Sequence, residues 1–261
     1  MRRGIQVFLL LLLLPANVEA ADLAATPRCE TPAALLDLGQ PLPHVAARIA
    51  RGEAVTVVAF GSSSTQGAGA SDAAHAYPAQ LARLWPRYLG IATVKMVNRG
   101  IGGETIDDMR KRLRRDVTDL KPDLILWQLG TNAVLRSDGI GRYAGGLRQA
   151  VAELKAGGAD VVLIDLQYAP KVLRDPDHAA MEALLRGVAA ELQVGLFQRF
   201  GAMKHWQDSG QLRPADMLAP DGLHMNDTGY GCWAEALARA LAGALAPGPG
   251  GVPNSAVSAH K

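Results

Sequence analysis

The sequence contains little cysteine, and that scarcity excludes two kinds of stabilisation. Among 261 residues there are two cysteines, Cys29 and Cys232. Two thiols can form neither a disulfide framework nor a cysteine-rich zinc site. In an oxidising compartment they could pair with each other and join the two ends of the fold, or they could remain two buried thiols. Both interpretations stay open at this point.

The chain also lacks an excess of charge of either sign. Its 27 Lys and Arg face 25 Asp and Glu, which leaves a net charge of +2. Nucleic-acid-binding domains concentrate positive charge on one face, so we expect no nucleic-acid partner. A basic run does occur at 110–115, but apolar residues from Ile106 to Leu120 recur around it at spacings of three and four. That pattern predicts an amphipathic helix whose solvated face carries the basic residues.

Motifs for cofactors and aromatic platforms are missing as well. The sequence has no metal-ligand cluster, no Gly-x4-Gly-Lys phosphate loop and no dinucleotide-binding fingerprint. We therefore expect no cofactor and no metal. Aromatic residues make up 5% of the chain, which leaves no obvious platform for stacking against sugar rings.

The one long hydrophobic run lies at the N-terminus and is too short for a membrane span. Within residues 1–20, two arginines precede an apolar run from Val7 to Leu14, and small residues lead to Ala20. This order is typical of a secretory signal peptide, and a bilayer needs about 20 apolar residues. Cys29 lies too far downstream to suggest a lipoprotein anchor. We predict cleavage after Ala20, no stable membrane span afterwards, and a secreted or periplasmic protein.

The rest of the chain alternates short apolar runs with longer amphipathic ones. The short runs are continuous, as in strands covered on both faces, and predict strands at Ala54–Phe60, Thr93–Asn98, Leu124–Leu129, Asp160–Leu166 and Val194–Phe197. The longer runs predict helices at Tyr77–Leu89, Thr105–Leu120, Arg142–Ala156, His178–Leu192 and Asp227–Ala246. Such alternation predicts an α/β fold with a parallel sheet of about five strands. We expect one domain over 21–246 and a disordered tail over 247–261.

Polar, glycine-containing segments follow the first three predicted strands, and an Asp–His pair precedes the last helix. The segments are Gly61–Gly67, Asn98–Thr105 and Gly130–Asn132, and the pair is Asp221 and His224. Because the carboxyl ends of parallel strands meet at one edge of a sheet, where open α/β sheets bind ligands, we expect these segments to lie together.

These four blocks, in this order, resemble those of the SGNH hydrolases, also called GDSL-type esterases and lipases. The resemblance runs from Phe60 to Tyr230. The first block, Gly-Asp-Ser-x-Thr-x-Gly, falls on residues 61–67, and the others fall on Asn98 and Gly103, on Gly130 and Asn132, and on Asp221 and His224. The resemblance implies a three-layer α/β/α sandwich and a serine nucleophile.

By this resemblance the catalytic residues are Ser63, Asp221 and His224. His224 would take the proton of the Ser63 hydroxyl and later protonate the leaving alcohol. Asp221 would hold the imidazole in the required tautomer and orientation. The oxyanion donors would be the backbone N–H groups of Ser63 and Gly103 and the side-chain amide of Asn132.

Two positions depart from the family's pattern. The Asp expected before the nucleophile is Ser62, and the Asp that often follows the third-block Asn is Ala133. Neither position carries the essential proton transfer, so we expect activity to survive. The change at 62 leaves three adjacent serines, and Thr65 and Gly67 fix the register at Ser63.

The sequence therefore predicts a secreted or periplasmic serine ester hydrolase. Its substrate would be a small-molecule or polymer-borne acyl ester, either O-acetyl groups on glycans or lipid esters, with Tyr168 and Tyr230 as candidate substrate contacts. An O-acyltransferase, in which an acceptor alcohol replaces water, would use the same residues. A non-catalytic binding module on a degenerate scaffold is the third alternative, suggested by Ser62 and Ala133. Nothing in the sequence indicates an oligomeric state.

Overall fold

A computed structural model describes residues 29–89, 94–137 and 139–245 of the chain. The predicted signal peptide (1–20) and the predicted tail (247–261) lie outside the described residues. Within the described ranges five strands form a single parallel sheet, and their order is β2-β1-β3-β4-β5. The strands are β1 (Val55–Gly61), β2 (Val94–Gly100), β3 (Leu124–Gln128), β4 (Asp160–Ile164) and β5 (Gly195–Phe197). The predicted α/β fold with about five parallel strands is confirmed.

Helices connect and flank these strands. They are α1 (Ala33–Leu36), α2 (Pro43–Ala50), α3 (Ser63–Gln66), α4 (Tyr77–Leu89), α5 (Ile106–Arg110), α6 (Leu113–Asp116), α7 (Thr131–Arg136), α8 (Tyr143–Ala156), α9 (Pro170–Leu173), α10 (Asp177–Leu192), α11 (Arg199–Asp208), α12 (Pro214–Met217) and α13 (Asp227–Gly243). Two short 3₁₀ turns lie at Thr118–Leu120 and Ile140–Arg142. None of the helices within the described ranges has the length and apolar character needed to cross a lipid bilayer.

The strand order reverses at β1, and this reversal places helices on both faces of the sheet. The connection from β1 moves to β2 on one side, whereas the later connections move through β3 and β4 to β5 on the other. Because parallel crossovers are right-handed, helices on the two sides of the reversal lie on opposite faces. Accordingly α4 packs with α13, and α8 packs with α5 and α10. The crevice between the carboxyl ends of β1 and β3 is where such sheets bind ligands.

The central strands are buried and the edge strand β2 is not. Every residue of β3 is buried, and so are all but one in each of β1 and β4. In β2, at one edge of the sheet, no residue is fully buried, whereas β5 at the other edge has two of its three residues buried. The expectation that all predicted strands are covered on both faces is therefore wrong for β2.

The predicted helix over Thr105–Leu120 is interrupted, and the interruption buries one basic side chain. The segment forms α5, α6 and the 3₁₀ turn, and Arg112 lies between α5 and α6. Ile106 and Met109 are buried as predicted, but so is Arg112, whose exposed fraction is 6%. The prediction that the basic residues lie on a solvated face is therefore wrong at this position, because the break turns Arg112 toward the sheet.

The two ends of the described chain are covalently joined. Cys29 and Cys232 form a disulfide bond, with 5.4 Å between their Cα atoms. Cys232 lies on α13, so the bond fixes the N-terminal segment to the last helix. Of the two interpretations that the sequence left open, the structure has the paired form.

Candidate active site

Ser63 is placed by a sharp turn between a strand and a helix. β1 ends at Gly61, Ser62 lies between strand and helix with φ −98° and ψ −146°, and α3 begins at Ser63. Ser62 and Ser64 are each 3% exposed, whereas Ser63 is only partly buried at the carboxyl edge of the sheet. The Ser63 Oγ lies 2.8 Å from Nε2 of His224, across 161 positions of sequence. Of the three adjacent serines, the structure thus brings Ser63 to the histidine.

Asp221 and His224 form the second part of the arrangement. Nδ1 of the His224 ring lies 2.5 Å from Oδ2 of Asp221, and Oδ1 of Asp221 accepts the backbone N–H groups of Leu223 and His224. Burial pushes the pKa of Asp221 upward, but these hydrogen bonds outweigh it and hold the pKa below its ordinary value. The carboxylate is therefore charged at neutral pH. It favours the tautomer that carries the proton on Nδ1 and leaves Nε2 to accept from Ser63.

The loop that carries this pair is anchored to the start of α13. The backbone N–H of Ala219 donates to the carbonyl of His224 at 2.8 Å, which closes the loop. Asn226 caps α13 by accepting from the Gly229 N–H at 3.0 Å, and its amide donates to the Asp216 carbonyl. The short spacing between Asp221 and α13 thus fixes the direction of the imidazole.

A second loop packs against the histidine from the α3 side. A Cβ added to Gly69 would lie 2.9 Å from Cβ of His224 and 2.4 Å from the Met225 carbonyl oxygen, so a glycine is needed for this close approach. The φ of Gly69 is +88°, which also favours glycine. The Ser71 N–H donates to Oδ1 of Asp227 at 2.8 Å and ties this loop to α13.

Tyr230 supports the same loop and does not face a substrate. Its ring is fully buried, and its hydroxyl donates to the Ala68 carbonyl at 2.7 Å. Burial raises the pKa of its hydroxyl, with nearby Arg199 opposing the shift. The prediction of a substrate contact is wrong, because Tyr230 lies on the face of α13 that packs into the core.

Tyr168 is the other predicted substrate contact. It follows β4, is partly buried, and packs edge-on against Phe200 with 5.1 Å between the ring centroids. Its role in substrate binding stays a prediction.

Gln128 supports the nucleophile loop, and sequence reasoning missed it. This residue ends β3 and is fully buried. Its Oε1 accepts the backbone N–H of Ser62 at 3.0 Å, the Ser62 hydroxyl at 3.1 Å and the Thr65 hydroxyl at 3.2 Å. A serine at position 62 supplies a donor to this oxygen, which an ionised Asp would not. The one signal in the sequence was a Gln at the end of an otherwise apolar strand.

The loop after β2 comes close to Ser63. A Cβ at Gly102 would lie 3.8 Å from Cβ of Ser63, and Gly103 has a φ of +78°. Ser63 is the first residue of α3, so its N–H is one of the helix-terminal donors without an intrahelical acceptor. Within the described part of the chain, no backbone carbonyl accepts the N–H of Ser63 or of Gly103. Both donors are therefore available to a ligand.

Asn132 lies in the first turn of α7 beside the same loop. Its Nδ2 donates to the Glu104 carbonyl at 2.8 Å, which orients the amide and leaves its second N–H for a ligand. Ala133, the second departure from the family's pattern, is fully buried. An Asp there would need a buried partner, so alanine suits the position.

Two further side chains brace the loops after β1 and β2. Asn98 donates to the Thr65 carbonyl at 2.8 Å. The guanidinium of Arg112 donates to the carbonyl oxygens of Gly61 and Arg99, at 3.1 and 3.0 Å, and its Nε donates to Glu104 at 2.7 Å. Sequence reasoning assigned Arg112 to solvent and missed this role.

A metal site is not part of this arrangement as described. Over residues 29–89, 94–137 and 139–245, no group of three or more His, Cys, Asp or Glu side chains is placed to hold a metal ion.

The chain is similar to known hydrolases in sequence and in fold. The family model described as non-GDSL lipase-like matches residues 28–247. That description agrees with Ser62, which stands where the GDSL block has Asp. Among curated proteins, the uncharacterized lipoprotein YqeF of Bacillus subtilis (strain 168) is 39% identical over 79 residues, which are 29% of this chain and 31% of that protein. The match thus spans about a third of the length of that relative.

Three solved structures share the fold at low sequence identity. The acetylxylan esterase Axe2 of Geobacillus stearothermophilus is 24% identical, with a TM-score of 0.62 over 72% of this chain and 94% of that one. The lipase/acylhydrolase of Enterococcus faecalis is 24% identical, with a TM-score of 0.60 over 72% and 96%. A two-domain esterase (CEX) active on acetylated mannans is 19% identical, with a TM-score of 0.68 over 84% and 58%. At these identities the likeness establishes the shared fold.

Proposed function

The chain belongs to the non-GDSL lipase-like family of hydrolases, and from that premise we propose that it hydrolyses carboxylic esters through an acyl-enzyme on Ser63. The observation that carries the proposal is the continuous hydrogen-bonded series from Asp221 through His224 to the Ser63 hydroxyl. A serine hydroxyl becomes a nucleophile when a base is positioned to take its proton, and this series supplies the base and its orienting carboxylate.

In the acylation step the Ser63 Oγ attacks the ester carbonyl carbon while its proton moves to Nε2 of His224. The imidazolium is stabilised by the Asp221 carboxylate. The tetrahedral intermediate then collapses, the bond to the alcohol oxygen breaks, and His224 returns the proton to that oxygen. The products of this step are the free alcohol and an ester on Ser63.

In the deacylation step a water molecule replaces the alcohol. His224 takes a proton from water as the oxygen attacks the acyl carbonyl, and then gives the proton to Oγ of Ser63 as the carboxylic acid leaves. In both steps the negative charge on the carbonyl oxygen would be met by the N–H groups of Ser63, Gly103 and Asn132. Their availability and the packing of Gly102 against Ser63 support this assignment.

We propose that the protein works outside the cytoplasm, secreted or periplasmic. Three observations support this location. Residues 1–20 have the order of a signal peptide, disulfides persist in oxidising compartments, and Cys29 and Cys232 are bonded. The relative named as a lipoprotein is consistent with export.

We propose O-acetyl groups on glycans as the substrate class. Two of the structural neighbours are named for activity on acetylated xylan or acetylated mannans, which favours short acyl groups over lipid chains. The degenerate-scaffold alternative loses its basis, because Ser62 has a partner in Gln128 and Ala133 is buried. No contact in the described chain favours an acceptor alcohol over water.

An acyl-chain series tests the proposal on the purified protein. p-Nitrophenyl esters from acetate to palmitate, together with acetylated xylan, would be assayed with the wild type, Ser63→Ala and Ser64→Ala. Ser64→Ala is the matched control, because it removes a neighbouring buried hydroxyl. We expect turnover that is fastest for acetate, retained in Ser64→Ala and lost in Ser63→Ala. Turnover that survives in folded Ser63→Ala would refute the acyl-enzyme, and a preference for palmitate would refute the substrate class.

A further inference from the structure

A charged cleft of about 680 Å³ lies beside the loop that carries Gly103. Six of the eight residues that line it are charged, namely Asp107, Asp108, Arg110, Lys111, Arg136 and Arg142. The lining thus contains four basic and two acidic side chains.

Each of the two acidic side chains in the cleft lies between two of the basic ones. Asp107 lies 3.5 Å from Arg110 and 3.6 Å from Arg142. Asp108 lies 3.1 Å from Lys111 and its other oxygen 3.6 Å from Arg136. Each carboxylate is thus shared by two cations. The side chains of Lys111, Arg136 and Arg142 are 76%, 52% and 54% exposed, so a ligand in the cleft can reach them.

The cleft lies beside the loop that carries Gly103 and beside the turn of α7 that carries Asn132. Arg136 donates from Nη2 to the Gly103 carbonyl at 2.9 Å. It stands one helical turn after Asn132, on the same face of α7, and Asn132 donates to the Glu104 carbonyl. The next residue, Thr105, lines the cleft. A substrate group in the cleft would therefore lie next to the loop that contacts Ser63.

We propose that this cleft binds an anionic group of the substrate, a carboxylate or a phosphate carried near the ester that Ser63 attacks. Guanidinium groups pair with both anions through two parallel N–H donors, and a lysine adds a compact charge. The substrate is then an acetylated acidic polymer, such as a polyuronate, in preference to a neutral one. This inference rests on the proposed ester hydrolysis at Ser63.

The first experiment compares substrates and measures a ratio. kcat/KM would be determined for acetylated polygalacturonate, for acetylated poly(glycerol phosphate) and for neutral acetylated xylan, with wild type, the double variant Lys111→Gln/Arg142→Gln, and Arg114→Gln. Arg114 is the matched control, since it is 87% exposed and outside the cleft. We expect the anionic-to-neutral ratio to fall about tenfold in the double variant, because each exposed ion pair contributes modestly, and to be unchanged in Arg114→Gln.

The outcomes show whether the cleft binds an anion and, if it does, whether that anion is a carboxylate or a phosphate. A ratio that falls for the uronate alone assigns the cleft to carboxylates, and one that falls for the glycerol phosphate alone assigns it to phosphates. A wild type that prefers the neutral polymer, or a double variant with an unchanged ratio, overturns the proposal.

The second experiment does not depend on hydrolysis. Binding of unacetylated polygalacturonate and of unacetylated poly(glycerol phosphate) to Ser63→Ala protein would be measured by calorimetry at low and high salt. We expect binding to one of the two polymers that weakens with salt and is about tenfold weaker when Lys111→Gln/Arg142→Gln is added. Absence of binding to both polymers would refute anion binding in the cleft, even if the wild type hydrolyses esters. If a polymer binds but the wild type hydrolyses no ester, the proposed function is refuted and anion binding in the cleft is supported.

Discussion

The nucleophile side of the site, formed by the loops after β1, β2 and β3, is braced by buried polar side chains, whereas the acid–base side is one partly exposed loop before α13. Gln128 is fully buried and Arg112 is 6% exposed, and each makes at least three hydrogen bonds to these loops. The Asp221 side chain, by contrast, is 41% exposed.

This difference separates the two kinds of cost that a mutation can have. A buried polar network is strong when complete and expensive when one member is removed, so geometry and stability are coupled on the nucleophile side. On the acid–base side the side chains of Asp221 and His224 are 41% and 18% exposed, and the role we propose for them is proton transfer. We therefore expect mutations on the first side to lower stability, and mutations on the second side to lower rate alone.

The largest effect is expected on the acid–base side. His224→Ala should lower kcat on p-nitrophenyl acetate by about 10⁴-fold or more, because Ser63 loses its base. The free energy of unfolding should change by less than about 1 kcal/mol. Urea unfolding and steady-state kinetics on the same preparation check both. If His224→Ala unfolds at a much lower urea concentration than the wild type, the acid–base side also contributes to stability, and the proposed difference between the two sides is wrong.

Arg112→Met should give the opposite result. Replacing the guanidinium leaves Glu104 without its buried partner, while Asp116 keeps Arg115, so the free energy of unfolding should fall by about 3–5 kcal/mol. Arg114→Met, on an exposed side chain in the same segment, should change it by less than about 0.5 kcal/mol. Equal unfolding midpoints for the two variants would contradict the bracing role.

Asn132→Ala tests whether the Asn132 side-chain amide contributes to the reaction rate as well as to the packing of its loop. Loss of one oxyanion donor should lower kcat by about 10²–10³-fold. Asn132→Asp keeps the shape but puts an acceptor where the donor was, so it should be at least as slow. If both variants retain wild-type kcat, Asn132 serves only to hold the Glu104 carbonyl.

The smallest expected effect is a pH dependence of the free energy of unfolding that comes from the buried carboxyl group of Asp165. Arg199 donates to the Asp165 carbonyl and to Gln167, and Gln167 accepts from the Thr131 hydroxyl beside Asn132. Burial raises the pKa of Asp165 from 3.8 to about 7. Between these values the folded protein holds a proton that the unfolded chain has lost, so stability falls as pH rises through this window.

Asp165→Asn should remove that part of the dependence. Between pH 5 and pH 7 the wild type should lose on the order of 2 kcal/mol more than the variant, since one pKa unit is about 1.4 kcal/mol. Asn can still accept the Phe200 N–H through Oδ1, so the fold has no lost bond there. Parallel urea curves at the two pH values provide the measurement, and identical slopes would contradict the assignment.

Much of this architecture follows from local patterns. The central strands were predictable because β1, β3 and β4 are mainly apolar runs bounded by polar segments, and Thr65 and Gly67 set the register that selects Ser63. The Asp221–His224 spacing is local too, since three residues of a tight loop bring a carboxylate to its own imidazole. Such features are written in neighbouring residues and need no knowledge of the packing.

The errors concern contacts between distant segments. Gln128 meets Ser62 across 66 positions, and Arg112 meets Gly61 across 51. The break after α5 that turns Arg112 inward is a tertiary effect that helical periodicity does not contain. Tyr230 was misassigned for a similar reason, because the buried face of α13 is decided by the helix and sheet that it packs against.

The most direct test of the central claim is to locate a covalent adduct. The folded protein would be treated with a fluorophosphonate, digested and mapped by peptide mass spectrometry, with Ser63→Ala and Ser64→Ala in parallel. We predict a single phosphonyl group on Ser63 in the wild type and in Ser64→Ala, and none in Ser63→Ala. An adduct on Ser62 or Ser64, or no adduct on the folded wild type, would contradict the assignment of Ser63 as the nucleophile.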